Sequence, residues 1–237
     1  GSVNVAVGAF ALDANTTGGE NTAVGYASLG ACTGGNYNTA LGQYALQDLT
    51  TGSGNTAVGL SAGANITDAT YNVAVGRHSL YTLTTGDENV AIGNRAGYSQ
   101  TTADENVWVG DHAGYATTTG EANIGIGHNA LTANTSASNN VAVGHNAIDA
   151  NTTGTQNNAL GTNALSGNTT GNYNVAVGTN SMMANTTAEH NTAVGTNAAL
   201  LNTTGTQNVA IGSHALDANT TGSWNTAVGT GALSANT

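Results

Sequence analysis

Asn140-Val141-Ala142-Val143-Gly144 is followed by Ala147-Ile148, then by Ala150-Asn151-Thr152-Thr153-Gly154, and at Asn157 the pattern starts again. The interval is 17 residues, and it holds along the whole chain. Asn4, Asn21, Asn38, Asn55, Asn72, Asn89, Asn106, Asn123, Asn140, Asn157, Asn174, Asn191, Asn208 and Asn225 open fourteen copies with no insertion or deletion between them. With that Asn as position 1, the consensus reads N-[TV]-A-[VIL]-G-x-x-[AS]-L-x-A-N-T-T-G-x-x. Position 1 is always Asn, position 5 always Gly (Gly8, Gly25, Gly144 and the rest) and position 13 always Thr (Thr16, Thr33, Thr152 and on to Thr237). Surface loops tolerate changes of length, so a register this strict says that neighbouring copies touch along their whole length.

Seventeen residues is too short a period for a stacked helix pair and matches one coil of a parallel β-solenoid. Positions 2 to 4 alternate β-branched, Ala, aliphatic, the pattern of a strand with positions 2 and 4 on one face and position 3 on the other. Gly at position 5 ends it, where a corner demands a backbone that other residues resist. Positions 8 and 9 are expected to form a second short strand, turning Leu12, Leu29, Leu46 and their equivalents inward against the position 4 aliphatics. Positions 12 to 17 read as a long turn. Stacked coils set identical side chains in ladders, where Asn and Thr bond to the copies on either side. The position 1 ladder, Asn4, Asn21, Asn140 and their equivalents, is expected to satisfy turn backbone inside the coil.

Composition agrees. The chain has 237 residues, one short of fourteen seventeens, with 34 Gly, no Pro, one Phe and only 6% charged residues. A globular domain carries about a quarter charged residues and a core rich in large aliphatics; this chain must replace that core with ladders. Net charge is −11, from 13 Asp and Glu against Arg77 and Arg95, which excludes neutralising a nucleic-acid backbone. No run of 18 apolar residues is present, so membrane insertion of a helix is excluded. Cys32 is the only cysteine, which excludes an intrachain disulfide. No nucleophile elbow, zinc-protease motif or phosphate-binding loop occurs, and the chain is not expected to be an enzyme.

The run Asn140–Gly144 with Ala147, repeated in every copy, resembles the S-V-A-I-G-x-x-A repeat of trimeric autotransporter adhesin heads. It is also similar to the N-T-A-V-G-x-x-A-L and T-T-G repeats of phage tail-fibre proteins. The adhesin repeat is nearer fourteen residues, the extra residues here falling in the T-T-G turn. The resemblance implies a left-handed β-roll assembled as a homotrimer, exposed on a cell or virion surface, with an adhesive or structural role and a host-surface glycan or protein as partner. Apart from it, Ala at position 3 with Ala or Ser at position 8 suggests a flat, small-residue surface suited to self-association. The sequence starts at position 15 and stops at position 13 with no capping coil, which predicts a segment of a longer fibre or an end-to-end filament.

Departures from the consensus mark candidate sites. Asp87, Glu88, Asp104, Glu105 and Glu121 fall at positions 16 and 17 of consecutive copies, an acidic cluster for which Ca²⁺ is the candidate cofactor, beside the simpler reading of a solvated acidic turn. His78, Arg95, His112, His128 and His145 fall at positions 6 and 7, and on a trimer axis would form rings able to hold an ion or anion. Tyr81, Tyr98 and Tyr115 share position 10 in successive copies, where Gly97 and Gly114 replace the neighbouring Leu. They form either a glycan platform or a purely structural aromatic ladder. Trp108 at the otherwise small position 3 suggests local space compensation with Gly125. Asn15, Asn65, Asn134, Asn151, Asn168, Asn185, Asn202 and Asn219 open N-glycosylation sequons. The Thr rank at position 13 invites an ice-binding alternative, although adjacent Thr-Thr does not give the two parallel ranks of a T-x-T face.

Overall fold

In a computed structural model of the chain, which describes residues 1–236, each repeat is one coil of an all-β parallel solenoid, and no described residue is helical. Two compact units are present, Gly1–Glu121 and Ala122–Thr237. The first holds β1 (Val5–Val7), β2 (Thr22–Val24), β3 (Thr39–Leu41), β4 (Thr56–Val58), β5 (Val73–Val75), β6 (Val90–Ile92) and β7 (Val107–Val109). The second holds β8 (Ile124–Ile126), β9 (Val141–Val143), β10 (Asn158–Leu160), β11 (Val175–Val177), β12 (Thr192–Val194), β13 (Val209–Ile211) and β14 (Thr226–Val228). Within each unit successive strands pair in parallel at a shift of one repeat, so that Ala6 faces Ala23 and Ala142 faces Ala159. Thr237, the last position 13 threonine, lies outside the described residues.

The faces of the strand are the reverse of the expectation. Position 3 is the inward one: Ala23, Ala40, Ala57, Ala142, Ala176 and Ala193 are fully buried. Positions 2 and 4 point outward, with Leu41, Ile92, Ile126, Leu160 and Ile211 all exposed. The reason is width. The coil is so thin that a Leu arriving from position 9 fills the space opposite the strand; Leu29, Leu80, Leu165 and Leu216 are fully buried there. Only Ala fits across from it, and the larger β-branched residues go outside. The Ala-rich surface proposed for self-association is therefore interior.

Trp108 tests that account. It occupies position 3 and is fully buried, and the position 9 residues of its own and the preceding coil are Gly114 and Gly97. A methyl group at Gly97 would lie 2.8 Å from Trp108 Cδ1, and one at Gly114 would collide with the indole ring. The glycines within the first unit make the room. Gln100 completes the exchange, its Oε1 accepting from Trp108 Nε1 at 2.9 Å and its Nε2 donating to Ala103 O at 2.8 Å.

Positions 8 and 9 are not a second strand. The segment is a run of turns in which positions 7 and 9 adopt left-handed backbone, as at Tyr44 (φ +60°), Leu46 (φ +49°), Asn146 (φ +53°) and Ile148 (φ +51°). Left-handed geometry costs roughly 1–2 kcal/mol per residue for most side chains. What offsets it is pairing: position 8 bonds back within its own coil (Ser28 N–H to Gly25 O, 3.4 Å), while the left-handed position 9 turns its N–H to the next coil (Leu29 N–H to Ala45 O, 3.0 Å). The strain recurs together with this kind of partner, as at Leu46 (N–H to Ala62 O, 3.0 Å) and Leu165 (N–H to Ser181 O, 2.9 Å). Position 17 is left-handed as well, from Val3 (φ +60°) to Trp224 (φ +64°).

Candidate functional surfaces

Two asparagine ladders run through the interior. At position 1, Asn157 Oδ1 accepts from Asn174 N–H at 3.0 Å and from its Nδ2 at 3.1 Å, and Asn174 Nδ2 donates onward to Ala188 O at 2.8 Å. With Asn191 N–H donating to its Oδ1 at 3.1 Å, the Asn174 amide joins three coils. Position 12 differs between the units. In the first it is mixed: Cys32, Leu49, Ile66 and Leu83 are apolar and fully buried, Gln100 and Thr117 are polar and fully buried, and Asn15 is half-buried. In the second it is Asn: Asn168 Nδ2 donates to Asn151 Oδ1 at 2.9 Å and Gly171 O at 3.0 Å, and Asn185 Nδ2 donates to Asn168 Oδ1 at 2.8 Å. One coil geometry accepts either a greasy strip or a satisfied amide strip.

This burial bears on the sequons. Asn134, Asn151, Asn168, Asn185, Asn202 and Asn219 are fully or almost fully buried with their amide nitrogens donated inside the coil, so they are closed to glycan transfer in the folded chain. Asn15 is half-buried and donates to Gly18 O at 3.0 Å. Asn65 falls at position 11 and is half-buried.

The position 13 threonines are also committed to structure. Thr152 Oγ1 donates to Thr169 O at 3.0 Å, and Thr186 Oγ1 to Thr203 O at 3.1 Å. Their hydroxyl protons bind the next coil, so toward water these oxygens can only accept. Position 14 is the exposed neighbour (Thr153, Thr170, Thr187, Thr204), a single rank.

The acidic cluster divides. Asp87 Oδ1 accepts from Thr70 N–H at 2.6 Å and Asp104 Oδ1 from Asp87 N–H at 2.8 Å. Asn172 does the same for Thr155 N–H at 2.7 Å, so the position 16 side chain acts as a rung for the coil before it. Glu88, Glu105 and Glu121 are exposed. Among the described residues no three carboxylate, imidazole or thiol groups converge as ligands for one ion.

His128 and His145 stack with ring centroids 5.2 Å apart, and His112 Nδ1 lies 3.0 Å from Asp111 Oδ2. The asparagines at position 7 owe their identity to the left-handed backbone that Asn tolerates and bond to one another, as Asn163 Nδ2 does to Asn180 Oδ1 at 3.2 Å. Tyr81, Tyr98 and Tyr115 stack at 5.3 and 5.2 Å with 12° between planes. The stacked rings cover each other's π faces, so Tyr98 is closed to a sugar on both sides. Arg95 lies over Tyr98 at 5.9 Å, and the His78 ring is 6.2 Å from it.

The surface that the sequence reading missed is the outer face of the strands. In the second unit it is lined by Ile124, Ile126, Val141, Val143, Leu160 and Val177, with a shallow apolar groove of about 150 Å³ where Asn158 and Leu160 interrupt the valine rows. The alternation was visible in the sequence; which of its phases faced inward was not.

The fold defines a class, the parallel β-solenoid of 17-residue coils. No protein family, characterised protein or solved structure matches the chain.

Proposed function

We propose that the chain is a structural and adhesive segment of a homotrimeric surface fibre, of the adhesin-head or tail-fibre kind, in which three copies pack through the outer aliphatic face of their strands. The observation that carries this reading is that face. The valine, isoleucine and leucine row at position 4 is half-exposed to exposed along both units, while position 3 alanines and position 9 leucines fill the interior. Contiguous apolar surface of this kind marks an interaction site, and a flat face repeating every 17 residues is matched best by another copy of itself. The resemblance to adhesin and tail-fibre repeats supports an extracellular setting, and the ladders supply stiffness without a globular core.

The test is mass in solution. Native mass spectrometry and sedimentation of the full chain should give a trimer. Val141→Asp with Val175→Asp should give monomers whose circular dichroism still reports β structure, because each carboxylate would be desolvated at the interface while remaining in water on a free coil. A folded wild-type monomer across micromolar concentrations would overturn the assembly. Thermal hysteresis in that monomer would turn the same face toward ice.

A further inference from the structure

The two fixed cations of the chain sit on adjoining coils. Arg77 and Arg95 face 13 Asp and Glu residues in the sequence, yet Arg95 N–H donates to Arg77 O at 2.9 Å, placing both on adjoining coils of one edge of the first unit. Both lie close enough to His78 to disfavour its protonation. Among the described residues no carboxylate lies within ion-pair distance of either guanidinium. Asp111, one coil beyond Arg95, is engaged elsewhere: its Oδ1 accepts from Asn94 Nδ2 at 2.8 Å and its Oδ2 lies 3.0 Å from His112 Nδ1. In so acidic a chain the missing partner is a distinct feature of this edge.

Two further observations converge on the same place. Arg95 Nε and His78 Nδ1 are shielded from solvent and have no hydrogen-bond partner, although such groups are ordinarily paired. Both side chains lie beside the tyrosine stack, the Arg95 guanidinium 5.9 Å from the Tyr98 ring centroid and the His78 ring 5.0 Å from that of Tyr81 and 6.2 Å from that of Tyr98.

We propose that Arg77, His78 and Arg95 form an oxyanion site that takes a single carboxylate group, carried by an acidic sugar or by a small free acid. Guanidinium groups match a carboxylate in charge and in the fork geometry of their donors. Burial, and then the two arginines, hold His78 below the usual imidazole range, so a neutral ring remains to give or accept one hydrogen bond. A net charge of −11 disfavours polyanions and leaves a singly charged ligand as the better fit. The site lies at positions 6 and 7, off the aliphatic face, and does not depend on the proposed trimer.

With only two arginines, ¹⁵N-labelled full-length protein gives two Nε–Hε signals, assigned by Arg77→Gln and Arg95→Gln. Sodium acetate, methyl glucuronide and methyl glucoside are titrated at constant ionic strength. Both Nε–Hε signals should move saturably with the two acids and stay still with the glucoside. Each substitution should weaken binding at least fivefold with β circular dichroism unchanged. A glucuronide bound tenfold more tightly than acetate assigns the acidic sugar as the source of the carboxylate; equal affinities assign the free acid. Absence of saturable shifts with either acid, or wild-type affinity in folded Arg95→Gln, would overturn the site.

Discussion

Asn174 shows what a single residue does in a ladder. Its amide accepts from Asn191 N–H at 3.1 Å and donates to Ala188 O at 2.8 Å and Asn157 Oδ1 at 3.1 Å, all buried. Asn174→Ala should lower unfolding stability by about 1–3 kcal/mol, since partners on both sides are left unpaired without water. Asn174→Asp should be worse, because a carboxylate cannot donate to Ala188 O; urea unfolding midpoints measure the order. His78 makes a pH prediction. Its folded value is depressed by burial and by Arg77 and Arg95, so the unfolded chain takes up the proton more readily. Its contribution is present above about pH 6.5 and is lost as pH falls through that range. His78→Gln should flatten the fall in Tm between about pH 7 and 5. Trp108 is the third case. Trp108→Ala should cost about 3–5 kcal/mol and Gly114→Leu alone should clash, while the two together should be more stable than either, having restored the consensus pairing of Ala with Leu.

At the scale of the coil, the corner glycine sets the geometry of the element. At Gly144 the backbone has φ +142° and an added methyl group would collide with Gly161 O on the next coil. Gly229 has φ +122° with nothing within 4 Å. Gly144→Ala combines strain with a clash and should cost clearly more Tm than Gly229→Ala, which carries the strain alone; equal losses would mean that coil spacing is not what forbids a side chain there. Position 12 supplies a second comparison. Asn168→Leu should destabilise because it leaves buried Asn151 Oδ1 without its donor and takes from Asn185 Nδ2 one of its two acceptors, even though Leu49 fills the same position in the first unit, where its neighbours Cys32 and Ile66 need no bond from it.

At the scale of the molecule, stability in a solenoid is a sum of coils and the contacts between nearest neighbours, so opening can be read region by region. Cys32 is fully buried, and burial raises its thiol above the usual range. It should resist thiol reagents in the native state and react at a rate set by opening of the Gly1–Glu121 unit. Pulsed labelling followed by mass measurement checks this, and rapid reaction without denaturant would contradict a closed first unit.

The chain's own residues determined the solenoid, the 17-residue coil, the parallel strand at positions 2 to 4, the corner at position 5 and the Asn and Thr ladders, because a period without insertions leaves one way to stack identical copies. They did not determine which side of that strand faced inward. Alternation such as Thr22-Ala23-Val24 is symmetric in sequence, and the decision came from Leu29 crossing a coil too narrow for a β-branched partner. Nor did they reveal that Leu29 itself sits in left-handed backbone, since that strain is balanced by a hydrogen bond to the next coil that no single copy contains. The same holds for the cation pair. Arg77 and Arg95 are 18 residues apart in the sequence, and only the stacking of coils makes them neighbours and turns the nearby carboxylate of Asp111 to other donors.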